Sequence, residues 1–565
     1  MLKIHKPITV QTILIAIALV AGICIRLIHL HQIPLGDHEA TLALQAYQFS
    51  VGLPTSLDGE PFYQLLTIVL FSIFGSSVYL ARLVPALMGI LLVASPLLFR
   101  KYLKPLELIL VVWLLALEPS LVVASRSINS TIIALCLAVM LFAAYSHHKK
   151  RTSGVMLALL ILSGTGFWWM AVMVAISLLL WTLVFRRSVD WQGVSGFLKE
   201  KEVWLTCLLT LAVGGSFFFL IPLGFNTIAN SIPAFVQEVS TDSGMRWWLP
   251  LLTLLIYSSL VVVFGIWGSI QSWLEFNPRR FLVLLALVGL GMLLLFPGRD
   301  LNHVVWVTTP FIFLTAYILS NRFSIQQNEI VPSLGITLLV VIIVLFLWQI
   351  FGRLNAGFLE MQLFWFALGG GIAILLLSAL LAIYGWSLRI ALFGYTWGFL
   401  IIFILSMIMS TFHSINPADP FRVEMWNNGI SNPDQVLLVQ SIEEASGWTR
   451  GNPIGLDVQV VGPISPSLEW ALRQHDHVQQ VNAVSPGDQP DIVITSVDDQ
   501  PELAQQYRGQ DFFLKSRVMF EAFQSEDWFR WIMLRKTTVV DQQPVILWIR
   551  SDLFPGGIIN PEIIQ

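Results

Sequence analysis

The sequence predicts an all-α polytopic membrane bundle of about 13 spans, followed by a C-terminal soluble α/β domain. The 565 residues are 56% hydrophobic and only 12% charged, whereas a soluble domain is about 25% charged. Apolar runs recur from residue 8 to about residue 411, and most of them approach the roughly 20 residues that a helix needs to cross a bilayer. After residue 411 the sequence becomes polar and mixed. The chain therefore divides into a membrane domain, 1–411, and a soluble domain, 412–565.

Thirteen apolar runs are candidate spans, with boundaries uncertain by a few residues. They cover 8–30, 79–99, 105–123, 128–146, 154–164, 167–185, 203–222, 248–270, 281–296, 304–320, 331–351, 362–384 and 390–411. The fifth run is too short for a full crossing. It could instead form one long bent helix with the sixth run, and this alternative would change the side on which later loops lie.

Loop cations indicate the orientation, because loops rich in Lys and Arg stay in the cytoplasm. With thirteen spans, one side of the membrane collects nearly all of these clusters: Lys3, Lys6, Arg100, Lys101, Lys104, Lys149, Lys150, Arg151, Arg186, Arg187, Arg279, Arg280, Arg322 and Arg389. We therefore expect a protein of the cytoplasmic (plasma) membrane with a cytoplasmic N-terminus. The long first loop, 31–78, and the C-terminal domain would be extracytoplasmic.

The C-terminal domain is acidic, with 10 Lys+Arg and 20 Asp+Glu in residues 412–565. This charge argues against nucleic acid as a partner. Alternating apolar residues and turn signals predict strands and helices in it. The expected strands are Val458–Val461, Asp491–Thr495 and Val545–Ile549, and the expected helices are Pro466–Gln474, with Ser465 as N-cap, and Glu502–Tyr507.

The first outer loop is expected to contain two helices that lie in the membrane interface. Residues His38–Phe49 carry a partly apolar pattern and Phe62–Phe74 are nearly all apolar, as is typical of interfacial helices. Asp58-Gly59 between them marks a turn.

Asp37 and Glu39, which follow the first span directly, are the strongest candidates for chemistry. Carboxylates in this position must be kept in water or in protein. Asp37 could cap the helix that begins at His38, with Glu39 favouring the positive end of that helix. Alternatively, the pair could deprotonate an acceptor hydroxyl or bind a divalent cation such as Mg²⁺ or Mn²⁺.

Three further outer residues are candidates for substrate binding. Asp58 is either a turn residue before Gly59 or a second carboxylate folded over the first pair. Arg126 needs a partner at its depth, and Glu118 and a substrate phosphate are equally plausible, since a guanidinium matches phosphate with two hydrogen bonds. Arg299 either pairs with Asp300 or holds a second phosphate.

His303 lies four residues after Arg299 in the same short outer loop. We include it among the residues expected to contact substrate.

Four stretches of the first 130 residues resemble the GT-C superfamily of membrane glycosyltransferases, which includes protein O-mannosyltransferases and lipid A aminoarabinose transferases. Within this superfamily, the sequence pattern looks most like the "flippase activity-associated" branch. The stretches are Gly36-Asp37-His38-Glu39-Ala40, Gly59-Glu60-Pro61-Phe62-Tyr63, residues 74–87 (FGSSVYLARLVPAL) and Ser125-Arg126. Arg299 to Pro310 and Leu468-Glu469-Trp470-Ala471-Leu472-Arg473 match more loosely.

The resemblance implies a sugar transfer from a polyprenyl-phosphate carrier to a glycan, lipid or protein acceptor on the outer membrane face. It implies that Asp37 is the base or metal-linked carboxylate with Glu39 as its neighbour. It also implies that Asp58 is near the second loop acid and that Arg126 and Arg299 hold the carrier phosphate. The branch usually has further charged residues after Ser125-Arg126, whereas residues 127–131 are uncharged here.

A lipid-linked saccharide flippase, or a non-catalytic partner of one, is the alternative. Loss of charge after Arg126 favours this alternative. A transporter should carry ionisable residues or broken helices near the middle of the membrane, while the notable charges of this sequence cluster at outer span ends. This distribution favours the enzyme.

Overall fold

The computed structural model describes residues 9–57, 59–185, 200–217, 219, 224–275, 277–322, 329–355, 361–415, 424–427, 432, 434–475, 477–485, 487–499 and 501–554. Within these residues, the chain is mainly helical up to residue 415, and a five-stranded sheet lies near the C-terminus. A mostly helical membrane part with a small C-terminal sheet domain therefore agrees with the predicted fold class.

The described residues contain six helices that are long and apolar enough to cross a membrane, or up to eight spans if two bent pairs are included. The six are Val10–Leu27, Thr165–Val184, Leu301–Asn321, Ile330–Phe351, Trp365–Gly385 and Leu388–Ile415. Shorter apolar helices cover Pro61–Phe74, Leu83–Phe99, Ser130–Ser146 and Arg280–Leu295. The chain is a multi-pass membrane protein, and the count of thirteen spans stays a prediction.

Nineteen helices lie in the described residues of the membrane part. In chain order they are α1 (Val10–Leu27), α2 (Asp37–Ser50), α3 (Pro61–Phe74), α4 (Val78–Ala81), α5 (Leu83–Ala94), α6 (Pro105–Leu117), α7 (Pro119–Arg126), α8 (Ser130–Ser146), α9 (Lys150–Leu162), α10 (Thr165–Phe185), α11 (Lys201–Gly215), α12 (Gly224–Ser240), α13 (Leu249–Tyr257), α14 (Ser259–Leu274), α15 (Arg280–Leu295), α16 (Val305–Arg322), α17 (Ile330–Asn355), α18 (Met361–Gly385) and α19 (Leu388–Ile415). Short 3₁₀ turns cover Ser95–Phe99 and Leu301–Val304.

Two breaks in the bundle meet at a buried acid. The helices α6 and α7 bend by 51° and α13 and α14 by 95°. Pro119 causes the first break, because a proline cannot donate the hydrogen bond that would continue α6. Glu118 at this break is fully buried and accepts hydrogen bonds from Ser258, at the second break, and Ser120. Glu118 is therefore a structural link between two broken helices, and it is not the partner of Arg126 that the sequence had suggested.

The C-terminal domain is a mixed sheet covered by helices. Its strands are β1 (Val458–Val461), β2 (Val478–Val481), β3 (Ile492–Ser496), β4 (Tyr507–Val518) and β5 (Val540–Arg550), in the order β2-β1-β3-β5-β4. The first three strands are parallel, whereas β5 runs antiparallel to β3 and β4. The helices are α20 (Asp434–Arg450), α21 (Pro466–Leu472) and α22 (Ser525–Leu534), with short 3₁₀ turns at Met425–Asn427, Phe520–Ala522 and Ser551–Leu553.

Most local predictions agree with these elements, and one is wrong. One predicted strand coincides with β1, one lies within β5, and Asp491–Thr495 overlaps β3 with a shift of one residue. Ser465 caps α21 by accepting a hydrogen bond from the Leu468 amide at 3.4 Å. Residues Glu502–Tyr507 are not a helix, because they run in irregular conformation into β4, which begins at Tyr507. The two loop helices are present as α2 and α3, and the fifth and sixth apolar runs form two separate helices, α9 and α10.

Candidate active site

A cavity of about 410 Å³ lies where the C-terminal ends of α1 and α7 meet the N-terminus of α2. Its walls include both acids of the Asp37–Glu39 pair and Arg126. The other lining residues are Leu30, Ile33, Gly36, His38, Arg82, Val123, Ser127, Ile128, Asp300, Asn302, Ser414 and Trp426. The predicted site residues Asp37, Glu39 and Arg126 thus share one hollow, and Asp300 and Asn302 of the Arg299–His303 loop also line it.

Glu39 is held in an ion pair with Arg82. The Glu39 Oε2 atom lies 2.5 Å from Arg82 Nη2 and Oε1 lies 3.2 Å from Arg82 Nε, and both side chains are almost completely buried. The Glu39 carboxylate also accepts the Gly36 amide at 3.3 Å, as in a capping box, and the Ile128 amide at 2.8 Å. Four donors therefore surround Glu39, so its carboxylate fixes the start of α2.

Asp37 has different neighbours, although it lies on the same helical turn. Its carboxylate accepts a hydrogen bond from the Ser467 amide at 3.4 Å and forms an ion pair with Lys515. Ser467 and Lys515 belong to the C-terminal domain. The Asp37 side chain is 39% exposed, compared with 10% for Glu39. Of the two acids, Asp37 is the more accessible.

Arg126 lines the cavity while its guanidinium caps the end of α1. Nη1 donates to the Ile25 and Ile28 carbonyls at 2.8 Å, and Nη2 donates to the His29 carbonyl at 3.0 Å. Carbonyls at a helix C-terminus lack partners within the helix and favour a cation. An arginine has five N–H donors, so Arg126 keeps donors for a ligand in the cavity.

The uncharged residues after Arg126 also have defined contacts. The Ile128 amide donates to Glu39, and Asn129 caps α8 by accepting a hydrogen bond from the Ile132 amide at 3.1 Å. The Asn129 side chain also donates to the Ala124 carbonyl at 2.7 Å. This stretch joins α7 to α8 and supports Glu39 without any charge of its own.

Arg299 and His303 do not line the cavity. The Arg299 guanidinium donates to the Met245 and Leu294 carbonyls, both at 3.1 Å. The His303 ring is buried, lies 3.1 Å from Glu238 through Nε2 and packs on Trp169 with ring centroids 4.1 Å apart. Their substrate-binding roles stay predictions, and Asp58 lies outside the described residues.

Burial also affects two acids next to the cavity region. Glu60, at the start of α3, is buried, and this burial raises its pKa to about 7. Burial opposes ionisation of Glu238 as well, but hydrogen bonds from His303 and Trp169 hold the pKa of that carboxyl below its ordinary value.

Sequence reasoning gave no role to Arg82 and Lys515, the two cations bound to the acid pair. A signal existed for Arg82, since a charged residue inside an apolar run is costly unless it has a partner. Lys515 had no such signal, because it lies on a soluble strand 478 positions away from Asp37.

The described residues offer little for a metal ion. Both Glu39 oxygens are taken by protein donors, and no group of three or more His, Cys, Asp or Glu side chains occurs together in the part of the chain that the structure describes. The Asp37–Glu39 pair in this arrangement does not fit a divalent cation without rearrangement. The metal-binding role of these two acids therefore stays a prediction, and no step of the proposed reaction depends on it.

The fold is similar to that of two solved structures of ArnT over nearly the whole chain. The crystal structure of ArnT from Cupriavidus metallidurans bound to undecaprenyl phosphate matches with a TM-score of 0.57 at 15% identity, over 97% of this chain and 100% of that chain. The apo form of the same protein gives 0.56 at 14% identity, over 96% and 98%.

The chain has the fold of these ArnT structures. This finding agrees with the resemblance seen in the first 130 residues. The archaeal oligosaccharyltransferase AglB from Archaeoglobus fulgidus, in complex with an inhibitory peptide and a dolichol-phosphate, gives a TM-score of 0.44 at 12% identity, over 86% of this chain and 69% of that chain. No family model matches the sequence, and no curated protein matches it.

Proposed function

We propose that this protein is a membrane glycosyltransferase that transfers a sugar from a polyprenyl-phosphate donor to an acceptor on the extracytoplasmic face. The observation that carries the proposal is the shared cavity of Asp37 and Arg126 within a GT-C fold. The undecaprenyl phosphate bound to ArnT supports a carrier of the polyprenyl-phosphate class. The proposed acceptor group is a hydroxyl or amide of a glycan, lipid or protein.

Asp37 acts as the general base in the proposed reaction. An acceptor hydroxyl transfers its proton to the Asp37 carboxylate while its oxygen attacks the anomeric carbon of the sugar. The bond between the anomeric carbon and the phosphate oxygen breaks, and the polyprenyl phosphate leaves with the electron pair. Attack from the side opposite to the leaving group inverts the configuration of the anomeric carbon.

Arg126 is proposed to hold the leaving phosphate, and Glu39 to support the base. The donors of Arg126 that are not used on α1 would stabilise the charge that develops on the phosphate. Glu39 fixes the start of α2 through Arg82, so that Asp37 has a defined position relative to the substrate. We keep Asp58, Arg299 and His303 as predicted substrate contacts.

The test uses purified full-length protein and radiolabelled polyprenyl-phosphate sugars. We expect sugar transfer or hydrolysis by the wild type and a loss of at least about 100-fold in Asp37→Asn, the scale of a general-base contribution. Asp242→Asn is the control, because Asp242 is an exposed acid whose carboxylate accepts the Gly244 amide in a local turn at 3.0 Å. Full activity of Asp37→Asn would contradict the assignment.

A flippase for lipid-linked saccharides is the second candidate, and the breaks at Glu118 and Ser258 favour it. Buried ionisable residues and broken helices are typical of transporters. If the wild type is inert with every sugar and instead moves a fluorescent lipid-linked saccharide across reconstituted vesicles, this second function replaces the first.

A further inference from the structure

The C-terminal domain is anchored on the first outer loop by two residues of the α21 segment. Trp470 is 3% exposed and packs on Phe71, with ring centroids 5.9 Å apart. Arg473 stacks on Trp470 at 3.9 Å and donates to the Ser76 hydroxyl at 3.0 Å and to its carbonyl at 3.1 Å. The domain is therefore docked firmly beside α2, and Lys515 is held close to Asp37.

A β-bulge directs Lys515 toward Asp37. On β4, Phe513 pairs with Pro544 and Lys515 pairs with Gln543, so Leu514 is an extra residue in the strand. A proline cannot donate a hydrogen bond to a neighbouring strand, which explains why the pairing shifts there. Bulges often re-aim a side chain next to a functional site.

Both oxygens of the Asp37 carboxylate are occupied by the C-terminal domain, Oδ1 by the Ser467 amide and Oδ2 by Lys515. The Lys515 ammonium group lies at Oδ2, where it competes with an acceptor hydroxyl for the carboxylate. Departure of Lys515 would leave this oxygen open to the incoming proton. Because the domain is anchored elsewhere, the long and flexible lysine side chain is the part that moves.

We propose that Lys515 is a substrate-binding residue that exchanges Asp37 for the phosphate group of the polyprenyl-phosphate substrate. The choice of ligand rests on the proposed function. In the substrate-free protein the ammonium group pairs with Asp37. When the lipid phosphate enters the cavity that Asp37 lines, Lys515 binds this phosphate as a point charge and releases the carboxylate. The C-terminal domain thus completes the site and couples donor binding to activation of the base.

The experiment measures the Kd of undecaprenyl phosphate for the purified full-length protein. We expect Lys515→Met to raise the Kd about tenfold and Lys515→Arg to stay within about twofold of the wild type, by analogy with charge-assisted phosphate contacts. Arg517→Met is the matched control and should leave the Kd unchanged, since Arg517 lies on the same strand, is half-exposed and pairs with Glu521 at 3.5 Å. An unchanged Kd in Lys515→Met, or an equal rise in Arg517→Met, would overturn the proposal.

Asp37→Asn provides a test that does not depend on the folding of the lysine variants. Because Lys515 loses its resting partner, we expect this variant to bind undecaprenyl phosphate several-fold more tightly, whereas a Kd equal to or above that of the wild type would overturn the exchange. Undecaprenol, which lacks the phosphate, should bind all variants alike. Equal affinity for inorganic phosphate would overturn the assignment to a lipid phosphate.

These binding measurements separate the inference from the proposed function. They require no sugar transfer, so the pattern of Kd values can be present in a protein that is inert in the transfer assay. In that case the proposed function fails and the exchange at Lys515 stands.

Discussion

Asp37 and Glu39 differ in their surroundings far more than their spacing of two residues suggests. Glu39 points into protein and is bound by a buried guanidinium, whereas Asp37 lies at the cavity wall and pairs with Lys515. A carboxylate that has four protein donors stabilises structure, and one with an exposed edge is more accessible. The contacts therefore agree with the proposal that Glu39 supports the site and Asp37 carries the chemistry.

Replacement of Glu39 should therefore affect stability more than a comparable change elsewhere. Glu39→Gln leaves the Arg82 side chain, which is 4% exposed, without its counter-charge. Breaking a buried ion pair costs about 3–5 kcal/mol. Thermal unfolding in detergent measures the change. Glu107→Gln is the control, because its partner Arg279 is 27% exposed and can be hydrated. Equal melting temperatures of the two variants would show that the Arg82 pair is not a main support of the site.

Glu60 should make stability depend on pH. Its pKa in the folded protein, about 7, lies above the ordinary value of 4.5, because burial favours the protonated form. The stabilisation is therefore complete below about pH 4.5 and is lost as the pH rises through 7. We expect the melting temperature of the wild type to fall over this range relative to Glu60→Gln, whose side chain does not titrate. Parallel pH curves of the two proteins would contradict this prediction.

At the scale of elements, the turn between α9 and α10 supports the start of α3. Gly164 in this turn has a φ of +77°, and a Cβ atom there would lie 2.0 Å from the Gly59 carbonyl oxygen. Any larger residue must therefore push away the backbone just before Glu60. The position of Glu60 depends in this way on a turn about 100 residues later in the chain.

Gly164→Ala and Gly75→Ala should separate this contact from simple backbone strain. Both glycines have positive φ angles, +77° and +79°, but nothing lies within 4 Å of a Cβ atom at Gly75. Each alanine costs about 1–3 kcal/mol for its positive φ, and only Gly164→Ala also displaces Gly59. We expect a clearly larger loss of thermal stability in Gly164→Ala, with faster proteolysis of residues 51–57. Equal losses in the two variants would argue against the contact.

Sequence patterns predicted elements well and predicted partners poorly. The two loop helices, the three strands and the Ser465 cap depend on local residues, and the structure contains them. For Arg126 the sequence left Glu118 and a substrate phosphate open as partners. The structure shows its guanidinium on carbonyls of α1 and Glu118 bonded to Ser258 and Ser120, while the phosphate contact stays a prediction. Backbone acceptors at a helix end have no sequence signature, so the contact with α1 could not be predicted.

At the scale of the whole molecule, the C-terminal domain contributes to the surroundings of Asp37. The tail reaches α2 through Lys515, Ser467 and Arg473, and the Tyr47 hydroxyl donates to the Arg473 carbonyl at 3.2 Å. Composition was enough to predict the division into a membrane part and an acidic tail. The docking of these parts depends on pairs of residues more than 400 positions apart, which a single sequence does not reveal.

These contacts place the first outer loop and the C-terminal domain on the same side of the membrane, and the loop cations predict that this side is extracytoplasmic. Single cysteines, introduced after the three native cysteines are replaced by serine, test the prediction. In intact cells a membrane-impermeant thiol reagent should label Ser56→Cys and Ala483→Cys, which are exposed positions of the loop and the tail. Lys101→Cys, at an exposed position of a predicted cytoplasmic loop, should react only after the cells are permeabilised. Labelling of Lys101→Cys alone in intact cells would reverse the orientation and place the proposed sugar transfer in the cytoplasm.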